Sequence, residues 1–447
     1  MSPTGTGVVH LGLGAFHRAH QAMVFDALLR RGDARWGITG VGMRQPEVVQ
    51  SLRQQQHRYS VQVTNADGPQ WHTVAAVQAT LMASTERRLV IQAMAHPDCR
   101  WITLTVTEKA YGAELADLLL DAFAVRHTHH GLGLTVASCD NLPGNGRLLR
   151  QWCLQQARAR SDALTDWVAR QVRFPNSMVD RIVPQVSAEG VAQAQQALGW
   201  HDRCALVTEP FWEWVIEDDF ADPHDADVLR SVGVQVVADV QVYEEAKLRM
   251  LNASHSALAA AGAVLGMATM HAVVAMPALR TWAHRMMTHD IAPHVHRADA
   301  LAYRDALLTR FANPGLRHLC LQICNDSSQK IPLRWVPSVL AARQRQHRAT
   351  HLAFAAAVWM RFLQGHCEQG LAYLWSDAWR ERLQALAVAH GPEPQHCVNA
   401  LLGITDIWGP TLATDAVWRD SVAQALARIQ RQGLLPALQH QLDTTQL

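Results

Sequence analysis

The chain has no charge surplus to offer a partner: 40 Lys+Arg stand against 39 Asp+Glu, a formal net charge of +1. Domains dedicated to nucleic acid are usually clearly basic, so this balance argues against that role. Cysteine is sparse. The eight among 447 residues are irregularly spaced and form no CxxC pair, a pattern of reduced thiols in a cytoplasmic protein. The first residues, MSPTGTG, carry no charged n-region and no long apolar run, so no secretory signal is expected. No stretch reads as a membrane span. The most apolar, residues 257–275, holds His271 and two glycines and reads as a buried helix. His127-Thr128-His129-His130 and His294-Val295-His296 lack the carboxylate partner of an HExxH helix, so both are expected on loops, with no metal site. Internal repeats and low-complexity tracts are absent as well.

What is present is apolar residue in quantity, 49% of the chain. That is too much for disorder, and the length suits two or three domains with cores that need no staple. The run Gly7-Val8-Val9-His10-Leu11-Gly12-Leu13-Gly14 predicts a buried strand entering a tight turn. Residues 20–29 have helical spacing, 36–41 form a strand closed by Gly42, and 46–55 a helix. Tyr59-Ser60-Val61-Gln62-Val63 alternates like an exposed strand, and 101–106 and 134–138 read as further buried strands. Strands alternating with helices imply βαβ units and a mostly parallel sheet. Past residue 245 or so, helical patterns dominate: 246–267, 278–287, 300–311, 336–345, 352–364, 379–390 and 421–431. Breaks fall at Pro293, Asn313-Pro314-Gly315, Pro332, Gly365 and Gly391-Pro392. The boundary lies within 222–240, near Asp222-Pro223-His224. The expected division is an α/β domain over 1–236 and a mainly α-helical domain over 237–447.

Gly12-x-Gly14 follows a strand and precedes a helix, the context of a dinucleotide turn. The first glycine permits the turn and the second lets the backbone approach a pyrophosphate. His17 replaces the third glycine of that pattern, and the basic run His17-Arg18-Ala19-His20 favours an anionic ligand. The acid that usually ends the second strand is missing from Gly42-Met43-Arg44-Gln45, and Arg44 would suit a 2′-phosphate. NAD and NADP therefore both stay open. The most informative stretch is Lys247-Leu248-Arg249-Met250-Leu251-Asn252-Ala253-Ser254-His255. At α-helical spacing Asn252 lies about 140° and His255 about 80° from Lys247, within one broad side. Its neighbours are apolar, and a lysine buried there would be pushed down toward the range of a useful base. Three further clusters follow strands or aromatic runs: 138–146, 174–184 and 209–220.

Together these segments resemble the polyol-specific long-chain dehydrogenases, the mannitol dehydrogenase family. The matching stretches are HLGLGAFHRAHQ at 10–21, TVTEKAY at 105–111, SCDNLPGNG at 138–146, FPNSMVDRIVP at 174–184 and EPFWEWVIEDDF at 209–220. They continue with KLRMLNASHS at 247–256, NPGLRH at 313–318, DSSQKIP at 326–332, WMRFLQG at 359–365 and ALLGI at 400–404. The resemblance implies a Rossmann-like dinucleotide-binding N-terminal domain, a mainly α-helical catalytic C-terminal domain and a cleft between them. It implies metal-free hydride transfer at a secondary alcohol with NAD. By the same likeness Lys247 is the general acid/base, Asn252 and Asn141 hydrogen-bond the reacting oxygen, His255 orients the substrate, and Glu244 relays protons. Gly12, Gly14, Phe16, Arg18, Val179 and Asp180 contact the cofactor, while Lys330, Asn325 and Arg334 contact the substrate.

Within the family, Gln322-Ile323 followed by Asp326-x-Ser328-Gln329-Lys330-x-Pro332 is most similar to fructuronate reductases (D-mannonate oxidoreductases). Mannitol 2-dehydrogenases carry an arginine at the position of Gln322. A hexuronate carboxylate calls for a cation, and Lys330, Arg334 and Arg18 are the candidates. Cys324-Asn325-Asp326-Ser327-Ser328 departs from the usual Ala-Met-Asp-Gly-Ser. The alternative substrates are mannitol or another polyol and, after those, tagaturonate. A non-catalytic dinucleotide-binding sensor would have no need of Lys247, Asn252 and His255. The expected partner is a small hexuronate or polyol, with no membrane or nucleic acid, in a monomer or small homo-oligomer.

Overall fold

A computed structural model of the chain describes residues 6–65, 68–106, 113–184, 186, 192, 194–196 and 198–444. Residues 107–111 of the TVTEKAY stretch lie outside them. Described residues up to Gln241 form one compact unit, and those from Val242 a second.

The first unit is built on a six-stranded sheet. Its strands are β1 (Val8–Leu11), β2 (Ile38–Gly42), β5 (Val77–Met82), β6 (Trp101–Leu104), β7 (Leu134–Ser138) and β8 (Val172–Arg173), in the order β5-β2-β1-β6-β7-β8. All adjacent pairs are parallel, with Val8 in register with both Ile38 and Trp101. Alternate residues feed two different cores. Val8, Ile38 and Trp101 join one with Phe25 and Leu28 of the helix Gln21–Arg30. Val9, Ile102 and Val136 join another with Leu119, Phe123 and Leu149. A strand buried on both faces reads as an unbroken apolar run, which is why β1 and β6 were recognisable.

Two three-stranded sheets complete this unit. One orders β10 (Leu206–Thr208), β3 (Tyr59–Asn65) and β4 (Gly68–Val74); the other orders β12 (Gln235–Val237), β11 (Glu213–Glu217) and β9 (Ser177–Asp180). The segment 59–63 is therefore not an exposed strand. β3 is central, paired parallel to β10 and antiparallel to β4, and residues 59–63 are buried. Its polar positions face protein: Ser60 N–H and Oγ both donate to the Asp202 carboxylate.

The second unit is helical. The run expected as one helix over 257–275 is two, Ala253–Val264 and Met270–Ala275. Gly266 stops the first in a left-handed conformation, φ +72. Its N–H bonds to Ala263 and that of Met267 to Gly262, a Schellman motif. Pro332, expected to break a helix, lies inside Ser327–Arg334. Only its own donor is lost, and Trp335 N–H still bonds to Ile331. His127 and His129 also depart from expectation: they end the helix Ala113–His129, where basic groups complement the carbonyl terminus. His294 ends a short 3₁₀ turn, Ala292–His294. All eight cysteines are free and buried. Among the described residues no helix is long and apolar enough to cross a membrane.

Candidate active site

The first unit offers a glycine turn at the end of β1. Gly12 has φ +97, and a Cβ there would lie 2.3 Å from the Thr105 carbonyl oxygen, so the fold itself demands glycine. Thr105 Oγ1 donates to the Gly12 carbonyl at 2.8 Å, and His10 Nε2 lies 3.0 Å from the same oxygen. Gly14 is different. Its φ is −87, and a Cβ would meet nothing nearer than Gly12 O at 3.8 Å. The protein leaves that space open, as a backbone approached by a pyrophosphate requires.

His17, at the third-glycine position, stacks on His10 with centroids 3.3 Å apart and planes 9° off parallel. Burial holds His10 down to about 3 and His17 well below the ordinary range, so both are neutral. The basic run after the turn is buried, and part of its hydrogen bonding is met by the interior. Arg18 is buried, donates to the Cys204 carbonyl at 2.7 Å and lies over Tyr59. His20 Nε2 lies 3.0 Å from the Glu213 carbonyl. Phe16 is half-buried and stacks on His20. Arg44 stands exposed beyond the end of β2.

Asn141 is exposed on the loop after β7, at the carboxyl end of the parallel sheet, where α/β folds place ligands. Asn145 shapes that loop. Its Nδ2 donates to Asp140 O and Ser177 O, and its Oδ1 accepts from Gly146 N and Ser177 N. Val179 and Asp180 end the buried β9, in register with Trp214 and Glu213.

In the second unit the sequence Lys247–Asn252 forms a π-helical turn between the helices Gln241–Ala246 and Ala253–Val264. A π-turn bonds i to i+5 and is wider than an α turn, so residues five apart come nearer to one face. Lys247 and Asn252 thus share one face, where regular α spacing would part them by about 140°. The turn is clamped from the helix Ser327–Arg334 and the residue after it: Arg334 donates to Asn252 O at 3.2 Å and Trp335 Nε1 to Ala253 O at 3.1 Å. Lys247 is half-buried, less enclosed than its apolar neighbours suggest, and Glu244 is half-buried one turn earlier.

His255 is buried, and no described residue bonds its Nε2. It stacks on Phe311 at 5.0 Å and meets His318 edge to face at 4.7 Å. Burial, reinforced by the His318 ring and by the positive Arg334, Arg310 and Lys330, holds it well below the ordinary histidine range. Desolvation likewise brings Lys330 down to about 8 and Arg334 to about 10. Lys330 Nζ donates to the carbonyls of Ile323 and Asn325, and Arg334 to Ser256 Oγ at 2.6 Å. The Asn325 side chain accepts from Ser376 N–H. Phe311, Arg310 and His318 were not singled out from sequence. His318 closes the NPGLRH stretch, which was their one visible signal.

The first unit thus presents a glycine turn open at Gly14 at the end of a parallel strand, and the second carries Lys247, Asn252 and His255 along a π-turn and the helix after it. The chain belongs to the mannitol dehydrogenase family: the family's Rossmann domain matches residues 6–226 and its C-terminal domain residues 239–430. It is thus a dehydrogenase acting on CH–OH donors. A mannitol 2-dehydrogenase of Aspergillus terreus is 34% identical, over 98% of this chain and 93% of the relative. An uncharacterised oxidoreductase of Escherichia coli, YeiQ, is 35% identical over 96% and 93%. Among solved structures, Pseudomonas fluorescens mannitol 2-dehydrogenase in ternary complex with NAD and D-mannitol superposes with a TM-score of 0.83 at 28% identity, covering 99% of this chain and 95% of that one. A D-sorbitol dehydrogenase in substrate-free form gives 0.86 at 28% identity, covering 97% and 95%.

Proposed function

We propose that this protein is an NAD-dependent oxidoreductase interconverting a secondary alcohol and a ketone on a sugar acid, the fructuronate reductase reaction between D-mannonate and D-fructuronate. The cation-rich surround of His255 carries the sugar-acid reading. Arg334 and Lys330 both bear on that ring. Of the acids near Lys330, Asp377 is already engaged by Ser327 Oγ and by Ser328 N–H and Oγ. A carboxylate is the group such a surround would attract.

NAD, when bound, supplies the hydride acceptor for the alcohol and, reduced, the donor for the ketone. Gly12, Gly14, Phe16, Val179 and Asp180 are the proposed contacts for it. Arg18 is proposed with them: its Nη1 donates to the Cys204 carbonyl, and its Nε is bonded by no described residue. Lys247 Nζ takes the hydroxyl proton during oxidation and returns it during reduction. The Asn252 amide donates to the oxygen as negative charge builds on it, a contribution of about 3–4 kcal/mol for one such donor. Asn141 is assigned a second hydrogen bond of that kind. His255 Nε2 orients a neighbouring hydroxyl, and Glu244 passes the proton toward water.

A second reading, D-mannitol oxidised to D-fructose, is favoured by the names of the relatives. It sits less well with Gln322, which is exposed where mannitol 2-dehydrogenases carry arginine. Initial rates with NADH and NADPH against D-fructuronate, D-tagaturonate, D-fructose and D-xylulose test the choice. Fructuronate with NADH is expected to be fastest. Turnover of fructose without fructuronate would install the second reading.

A further inference from the structure

His318 has no part in the chemistry above, yet it is held firmly beside it. Its carbonyl accepts from Met270 N–H at 3.0 Å, its N–H donates to Leu316 O at 2.9 Å, and the next residue, Leu319, bridges to Thr269. Its ring lies against that of His255, with centroids 4.7 Å apart. Phe311 lies flat against His255 and fixes that ring, and His318 meets its edge.

Two nitrogens in this contact, His255 Nε2 and His318 Nδ1, are buried and bonded by no described residue. Buried polar atoms in folded proteins nearly always have a partner, and two orphans on rings in contact leave hydrogen bonds that a bound hydroxyl can complete. Burial and the Lys330 charge hold His318 down to about 4, and His255 is also held low. Both rings are therefore neutral near pH 7, each with one donor and one acceptor nitrogen. A hydroxyl, which donates and accepts, matches either tautomer.

We propose that His318 is a substrate-binding residue that holds the hydroxyl one position beyond the one held by His255, so that the two rings together read the relative configuration of neighbouring hydroxyls. The inference rests on the proposed sugar-acid or polyol chemistry and adds the residue that selects among its epimers. A buried hydrogen-bonding site that loses its partner rejects the cognate ligand strongly, whereas an apolar wall discriminates weakly.

The test compares the full chain with His318→Asn, His318→Gln and His318→Phe. Initial rates with NADH are measured on two epimer pairs, D-fructuronate with D-tagaturonate and D-fructose with D-tagatose. The His318→Phe variant should lose about ten- to a hundredfold in kcat/KM on the preferred epimer, mostly through KM, and its preference between epimers should shrink at least about tenfold. Its KM for NADH should stay within about twofold of wild type. Asparagine places a polar atom where Nδ1 stands and should recover activity to within about threefold; glutamine, which mimics the far nitrogen, should not. An epimer ratio unchanged in His318→Phe, or equal behaviour of the Asn and Gln variants, overturns the assignment. A wild-type chain that turns over none of the four sugars overturns the proposed function itself, and this inference with it.

Discussion

Asn145 and Asn252 are the same side chain set to opposite ends. In the first unit every hydrogen-bonding position of Asn145 is filled by backbone, joining the loop after β7 to β9. Arg126 is treated alike, its guanidinium caged by the carbonyls of Met94, His96, Cys99, Leu132 and Gly133. In the second unit Asn252 is gripped only through its backbone carbonyl, and no described residue bonds its amide. His255 and His318 follow suit, with one buried nitrogen apiece left over. A satisfied polar group is framework, and an unsatisfied one at a polar site is reserved for something that arrives.

The harshest way to break this contrast is at Lys247. Lys247→Ala should reduce turnover at least about a hundredfold, the lower end for loss of a general acid/base, with the circular dichroism spectrum and melting temperature near wild type. Near-normal turnover in a folded variant would strip Lys247 of its role and leave the π-turn without a chemical purpose.

The two asparagines sharpen it next. Asn145→Ala leaves two backbone N–H groups and two carbonyls short of a partner, at about 1–3 kcal/mol for each buried group that water cannot reach. Denaturant unfolding should register a loss of at least about 2 kcal/mol. Asn252→Ala should cost about a hundredfold in kcat and leave the unfolding midpoint almost unmoved. If the two variants exchange phenotypes, the division into framework and reserved groups is wrong.

A milder version of the contrast lies within one turn. Gly12→Ala forces a Cβ to 2.3 Å from a carbonyl oxygen at φ +97 and should destabilise the chain by at least about 1–3 kcal/mol. Gly14→Ala has room and should leave stability within about 0.5 kcal/mol of wild type. Its effect should appear instead as a KM for NADH raised about tenfold. Equal melting temperatures for the two variants would refute the account of why each glycine is there.

The sequence showed some of this readily and some not at all. β1, the glycine turn and the helix after it were legible because a buried parallel strand is a solid apolar run and positive-φ turns select glycine. The segment 59–63 misled because alternating polar residues look solvated, and nothing local announces Asp202 waiting beneath Ser60. The π-turn was invisible: Lys247-Leu248-Arg249-Met250-Leu251-Asn252 has no residue that marks a five-residue turn, so α spacing placed Lys247 and Asn252 on one broad side but overstated the angle between them. His255 could be named, but Phe311 and His318 reach it only through tertiary packing.

A further contrast separates pH sensitivity from the active site. A second π-turn, Met286–Ile291, holds Asp290, which is fully buried. Its Oδ2 accepts from Leu352 N–H at 2.8 Å in the first turn of the helix Thr350–Phe362, while Oδ1 has no hydrogen-bond partner among the described residues and His347 lies 3.9 Å away. Burial pushes the carboxyl up to about 7, against the help of the Leu352 and His351 amides. In the unfolded chain it would titrate near the ordinary aspartate value of about 4. The folded state therefore binds the proton more tightly, and the stability this carboxyl contributes is complete below about pH 4 and lost as pH rises to about 7. Asp290→Asn keeps an acceptor for Leu352 and cannot ionise. Its stability relative to wild type should grow across that window and level off above it, whatever constant offset the amide introduces. A difference between the two proteins that stays flat from pH 5 to pH 9 in urea unfolding would show that Asp290 ionises as readily when folded as when not.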